Sequence, residues 1–215
     1  MFLNTILKAR LIFISRAFFI EFKKVHKNFI YHLIFALEMG QRKILDAEQC
    51  NLTLQRLSFQ LIENHDHFNN SVIIGLQPRG IALAQRLYKN ICTIIGNQFP
   101  YGELDTTFFR DDFKLKPLIP QTTSIDFEIE NKKVILVDDV LYTGRSVRSA
   151  LDALTHFGRP ASVELLVLID RRFSRHLPIQ PDYVGVTVDA VENEKVIVDW
   201  QNMEQSAEVY LTTTH

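Results

Sequence analysis

Two cysteines among 215 residues, Cys50 and Cys92, leave too little sulfur for a disulfide scaffold. They are far apart and not in a CxxC spacing, so they read as packing residues of a protein in a reducing cytoplasm. Charge of one sign is also missing. The formal net charge of −1 provides no broad basic footprint for non-specific nucleic-acid binding. No uncharged apolar run approaches the roughly 20 residues that cross a bilayer, so no membrane partner is expected. No segment repeats, and no low-complexity linker divides the chain. The nearest approach to a phosphate loop, GLQPRG from Gly75 to Gly80, continues Ile-Ala and lacks the Lys-Ser/Thr of a nucleoside triphosphatase. NHDH, from Asn64 to His67, has no cysteine or further acidic ligand beside it and reads as a solvated loop.

What charge there is lies unevenly. The first 38 residues hold six cations against Glu21 and Glu38, about +4, which leaves about −5 for residues 39–215. This opening is rich in Phe and Ile, has no clean signal-peptide core, and is broken by Lys8, Arg10 and Arg16. It reads best as sequence upstream of a start at Met39; an extra amphipathic helix and a membrane-surface anchor are the other readings. The domain proper then spans 39–215.

From Met39 onward strands and helices alternate. Residues 46–63 place Leu52, Leu54, Leu57, Phe59, Leu61 and Ile62 on a broad helical face, with Asp46 as N-cap. SVIIGL (Ser71 to Leu76) is a short buried strand, followed by the loop QPRG and a helix carrying Ile81, Ala84, Leu87, Tyr88 and Ile91. Val134 to Val137 form a strand apolar on both faces, as in a parallel sheet. Ser146 leads a helix with Val147, Ala150, Leu151, Leu154 and Phe157 in one stripe, ended by Gly158 and Pro160. VELLVLI (Val163 to Ile169) is the next strand. The stretch from Arg110 to Lys133 is polar and weakly patterned, suiting a mobile loop or β-arm. The pattern predicts an α/β fold: a doubly wound, mainly parallel sheet with helices on both faces and ligands at the strands' carboxyl ends.

The most informative stretch is VILVDDVLYTGRS, Val134 to Ser146. Asp138 and Asp139 follow a buried strand and so stand at the mouth of the crevice. Adjacent carboxylates accept hydrogen bonds from a ribose diol and can support a nearby metal. Behind them, Thr143, Gly144, Arg145 and Ser146 open a helix, whose free N–H groups and dipole favour a phosphate. A diol acceptor beside a phosphate cradle suits a phosphorylated ribose.

This stretch resembles the phosphoribosyl-pyrophosphate (PRPP) signature of type I phosphoribosyltransferases. More narrowly, GLQPRGIALAQRL, YGELDTTFFRDD, FGRPASVELLVLIDRR, LPIQPDYVG and NEKVIV occur in the order seen in the PyrR family, from Ile44 to the C-terminus. That family comprises bifunctional pyrimidine-operon regulators with uracil phosphoribosyltransferase activity. The resemblance implies the type I phosphoribosyltransferase fold with a small hood. It assigns the ribose and 5′-phosphate to Asp138, Asp139, Val140, Leu141, Tyr142, Thr143, Gly144, Arg145 and Ser146. It assigns pyrophosphate to Gln77, Pro78, Arg79 and Gly80, with Arg79 as the charged contact. Arg110 falls at the root of a closing loop, and Arg171 and the Val196 backbone fall at the nucleotide's base side. Asp138, Asp139, Arg79 and Arg110 form the implied catalytic set.

Three features differ within the implied pattern. Pro78 stands where relatives often have Thr or Arg. The DRRFSRHLPI segment (Asp170 to Ile179) is one residue longer than the family's DRGHRELPI form. Tyr142 stands where 6-oxopurine transferases have an acidic residue, which favours a pyrimidine. The expected reaction is uracil plus PRPP giving UMP and pyrophosphate, with Mg²⁺ held chiefly by PRPP near Asp138 and Asp139 and no dedicated protein cage. A homodimer or larger homo-oligomer binding pyrimidine-operon leader mRNA is the implied second activity. Arg145, Arg148, Arg159, Arg171, Arg172 and Arg175 are candidate cations for it, Arg148 and Arg159 the cleanest. The alternatives are an RNA-binding attenuation regulator with little catalysis, or a transferase for another base without RNA binding.

Overall fold

The computed structural model of the chain describes residues 41–110, 122–191, 193–200 and 207–213. The readings for residues 1–38 lie outside the described residues.

Five strands form a wholly parallel sheet in the order β3-β2-β4-β5-β6: β2 Ser71–Leu76, β3 Tyr101–Leu104, β4 Lys133–Leu141, β5 Ser162–Arg172 and β6 Tyr183–Asp189. Helices α1 (Ala47–His65) and α2 (Gly80–Ile95) pack on one face; α3 (Arg145–Leu154) covers the other. Both faces of the central strands are therefore dry, which is why Val72, Ile73, Ile74, Val134, Ile135, Leu136 and Val137 are all fully buried. A smaller antiparallel sheet, β1-β8-β7, is built from Arg42–Leu45, Ala207–Thr213 and Glu194–Trp200. Its Leu45, Val196, Val209 and Leu211 join the core on the α1/α2 face, so the hood is welded to that layer. Strands β1 and β8 were not foreseen, although β8 alternates the buried Val209 and Leu211 with Glu208 and Tyr210. Among the described residues, no helix is long and apolar enough to cross a membrane.

Local chemistry explains most boundaries. Asp46 accepts the Gln49 N–H at 2.9 Å while Gln49 Oε1 accepts the Asp46 N–H at 3.0 Å, a reciprocal cap for α1. Several expectations need correction. Leu52 and Phe59, assigned to the apolar face of α1, are 58% and 51% exposed, because that helix buries a narrower stripe of Cys50, Leu54, Leu57 and Leu61. On α3 the buried stripe is Val147, Ala150, Ala153 and Leu154, and Leu151 and, beyond the helix, Phe157 remain 40% and 38% exposed. Residues 111–121 lie outside the described residues, but the segment after them is no free arm. Ser124 bridges to Glu103, and Ile125, Phe127 and Ile129 pack on the α3-side core at alternate positions.

NHDH is not a solvated loop throughout. His65 is buried in the last turn of α1, at the amino-terminal end of the sheet. Tyr183 Oη donates to Glu164 Oε2 at 2.7 Å and so can only accept from His65 Nε2, at 3.2 Å. That assigns the ring proton to Nε2 and leaves Nδ1 to accept from Ser71 Oγ at 2.9 Å. Burial holds the imidazole below its usual pKa, with Glu164 opposing and Lys133 assisting. The network ties α1 to the starts of β2, β5 and β6. Tyr183→Phe strips the hydroxyl that joins His65, Asn64 and Glu164, leaving only the 3.3 Å contact between His65 Nε2 and Glu164 Oε2. A loss of about 1–3 kcal/mol in urea-unfolding free energy is expected, with ligand binding at the opposite end of the sheet unchanged.

Candidate active site

The crevice arises because neighbouring strands stop at different heights. β2 ends at Leu76, and its last pairing with β4 joins Gly75 to Val137. β4 runs on beside β5 alone, pairing Asp138 with Val167, Val140 with Ile169 and Leu141 with Asp170. The strand thus continues through both aspartates instead of stopping at Val137. Space opened by the end of β2 is filled by the Gln77–Gly80 turn, whose Gln77–Pro78 peptide is cis. Gly80 opens α2 hard against β4: a Cβ there would sit 2.3 Å from Val137 O and 3.0 Å from Asp138 Cα. Only glycine permits this approach. Gln77 secures the turn, with its N–H donating to Leu104 O at 3.0 Å and Nε2 to Thr122 O at 2.8 Å.

On the other side of the aspartates, Gly144 caps α3 with φ of +88°, in left-handed space. Its Cα lies against Leu177 and Ile179 of the 170–179 segment. That segment grips the loop from behind. Arg175 Nη1 donates to Tyr142 O, and Nη2 pairs with Asp170; the His176 N–H donates to Thr143 O at 3.1 Å. In a trans peptide the carbonyl and the following N–H point oppositely. Holding the Tyr142 and Thr143 carbonyls from behind therefore turns the Thr143 and Gly144 N–H groups the other way, a cradle for an anion. Asp170, Arg175 and the His176 backbone were not foreseen as its support; the one available signal was the family segment they belong to. Phe173, at φ of +65° and 83% exposed, marks the tip of this longer segment.

One crevice of about 460 Å³ gathers Gln77, Pro78, Arg79, Arg110, Asp138, Asp139, Val140, Tyr142, Ser146, Arg171 and Val196. Arg110 Nη1 reaches Ser146 Oγ at 3.3 Å, joining the root of the 111–121 segment to the start of α3. Arg171, only 4% exposed, stacks on the Tyr142 ring at 4.1 Å and donates to Val191 O at 3.3 Å. Glu194 and Lys195 of the hood also line the space; no sequence signal singled them out. Leu141 does not face it, its side chain being buried in the α3-side core. Arg148 and Arg159 lie elsewhere: Arg148 is exposed on α3 beside Asp152 at 3.6 Å, and the Arg159 N–H donates to Glu130 Oε2 at 2.7 Å.

Both carboxylates resist ionisation. Burial, then the neighbouring charge of Asp139, pushes the Asp138 pKa up to about 8, against relief from the Asp139 N–H, Arg79 and Arg110. Burial also raises Asp139, with Arg79 the main opposing influence. Between the unfolded value of about 4 and the folded value of about 8, the folded protein holds a proton that the unfolded chain has lost. This contribution to stability is therefore lost as pH rises through that window. Asp138→Asn removes it. The variant's melting temperature should exceed that of the wild type by about 3 °C or more at pH 8, with the gap shrinking towards pH 5, as calorimetry would show.

Residues 40–202 match the family model of the phosphoribosyl transferase domain. A "Bifunctional protein PyrR" of Desulfosudis oleivorans is 49% identical over 166 residues, covering 75% of this chain and 91% of that one. Another, of Caldicellulosiruptor bescii, is 46% identical over 159 residues, 73% and 87% of the two chains. Among solved structures, a hypoxanthine-guanine phosphoribosyltransferase of Bacillus anthracis superposes with a TM-score of 0.58 at 16% identity, over 80% of this chain and 97% of that one. The hypoxanthine phosphoribosyltransferase of Trypanosoma cruzi gives 0.60 at 14% identity, over 81% and 97%. The two enzymes share the fold, and the sequence relatives narrow it: this chain belongs to the PyrR family of type I phosphoribosyltransferases.

Proposed function

We propose that the protein transfers the phosphoribosyl group of PRPP to uracil, giving UMP and pyrophosphate, and that residues 39–215 are the transferase unit. The observation that carries this reading is the height difference between β2 and β4, which brings Asp138 and Asp139 between the Gln77–Gly80 turn and the Gly144 cradle. The spacing suits a ligand with pyrophosphate at one end, a diol in the middle and a phosphate at the other. In the proposed complex Asp138 and Asp139 accept the ribose hydroxyls, the Thr143–Ser146 N–H groups hold the 5′-phosphate, and Arg79 faces the pyrophosphate. Uracil lies on the hood side, towards Arg171 and the Val196 backbone.

As uracil N1 forms its bond to C1′, the bond from C1′ to pyrophosphate breaks and its electron pair leaves with the pyrophosphate, which together with solvent takes up the proton released from N1. Positive charge on the ribose in the transition state is eased by the two carboxylates. The protein's contribution is positioning, electrostatics and exclusion of water; no covalent nucleophile is required. Among the described residues, no three His, Cys, Asp or Glu side chains gather into a metal cage. The paired carboxylates fit a cation whose remaining ligands come from the substrate. Mg²⁺ would be held chiefly by PRPP, with Asp138 and Asp139 beside it, and would supply charge neutralisation at the pyrophosphate.

A base panel with PRPP and Mg²⁺ tests the reading on the full chain and on a chain starting at Met39. Uracil is expected to be turned over by both, faster than hypoxanthine, guanine or orotate. Asp139→Asn should lower kcat/KM by about 100-fold or more while the melting curve stays cooperative. Preferred turnover of another base, or a near-normal Asn variant, would overturn the base or the diol assignment respectively.

The relatives' name describes two functions, and two exposed arginines, one on α3 and one in the loop after it, support a second reading for this chain. Arg148 and Arg159 are exposed, away from the crevice. They fit contacts to the phosphates of a pyrimidine-operon leader mRNA, bound by an oligomer that pairs such faces. UMP would then tighten RNA binding, and RNA would tighten UMP by the same factor. Gel shifts at two salt concentrations, with and without UMP, should show steep salt weakening. Arg148→Gln with Arg159→Gln should flatten that salt slope and leave turnover intact. Equal weak binding of leader and scrambled RNA, indifferent to UMP, would leave a transferase alone.

A further inference from the structure

Tyr142 is held from two directions at the base end of the crevice. Its carbonyl accepts from Arg175, which is paired with Asp170 at the end of β5. Its ring lies 4.1 Å from the guanidinium of Arg171, which is itself buried and tied to Val191 O. The residue nevertheless remains 41% exposed and lines the crevice with Asp138, Asp139 and Val196. A flat ring stacked on an anchored, buried guanidinium yields far less than a free side chain would. Rigid walls of this kind discriminate by size.

The chemistry of the candidate bases makes size the quantity that needs a wall. Uracil presents an N3–H beside a C4 carbonyl. Hypoxanthine presents an N1–H beside a C6 carbonyl, the same donor and acceptor in the same order. A hood that hydrogen-bonds this pair cannot tell the two apart by that pair alone. They differ by a second fused ring. We propose that the Arg171–Tyr142 stack sets the size of the base subsite, so that Tyr142 is the residue that admits a one-ring base and excludes a two-ring base. The proposal rests on the uracil reading above and adds to it the side chain that enforces the choice.

Calorimetric titration of the full chain with UMP and with IMP tests it, in the wild type, Tyr142→Phe and Tyr142→Ala. The wild type is expected to favour UMP by about tenfold or more. Tyr142→Phe keeps the ring and the stack and so should keep that preference. Tyr142→Ala should narrow it by about tenfold or more, chiefly through tighter IMP binding. Melting curves establish that each variant is folded; Tyr142→Val replaces the alanine variant if that one is not. An undiminished preference without the ring, or no preference in the wild type, overturns the proposal. Because the readout needs no turnover, the two ideas separate. A ring-dependent UMP preference in a protein that makes no UMP from uracil and PRPP would refute the transferase reading and leave the size wall standing.

Discussion

The contact between Gly80 and the backbone of Val137 and Asp138 governs the geometry of the site. It sets how closely the first turn of α2 approaches β4, and hence how near the Gln77–Gly80 turn stands to the two aspartates. Two backbones in this proximity leave no room for a Cβ; any side chain would wedge the turn from the strand. The approach is backed by packing on both sides. Leu83, Ala84 and Leu87 of α2 are fully buried against the sheet, and Val134 to Val137 are fully buried within it. The most rigid contacts of the scaffold thus fix one separation, that between the Gln77–Gly80 turn and the two aspartates.

Electrostatics pulls the other way. Burial disfavours the charge of both carboxylates, and the charge of Asp139 adds to that at Asp138; Arg79 opposes it at both and Arg110 at Asp138, without cancelling it. Once ionised, such a pair weakens the protein. The polar network of His65, Ser71, Tyr183 and Glu164 at the far end of the sheet is the opposite case. Its members find partners within the chain, and it contributes to holding α1, β2, β5 and β6 together. One end of the sheet is satisfied and closed. The other is left incomplete, and that incompleteness is what a ligand would fill.

The parts legible in sequence were those whose cause is local. Continuous β-branched and aliphatic runs specified β2, β4 and β5, because a strand buried on both faces needs apolar residues at every position. Asp46 marked the start of α1, and the Asp-Asp and Thr-Gly-Arg-Ser elements marked where the crevice and the first turn of α3 would stand. Each of these signals lies within a few residues of its effect. The exposure of Leu52 and Phe59 was not legible, since period alone cannot say how wide a stripe the neighbouring layer will cover. Nor was the burial of His65, whose partners lie 6, 99 and 118 residues away in the chain.

By itself, then, the sequence determined a mainly parallel α/β sheet around β2, β4 and β5 and the place of Asp138 and Asp139 towards the carboxyl end of β4, because hydrophobic period and motif spacing act over short stretches. Only the tertiary structure decided what those groups face. It ended the pairing of β2 with β4 one register before Asp138, drew Arg171 over Tyr142, turned the Tyr142 and Thr143 carbonyls towards Arg175 and His176, and built a hood from strands at both ends of the described chain. Each of these depends on contacts between segments tens of residues apart, where the space left by one backbone dictates what another can place there. Local pattern carries no information about that space.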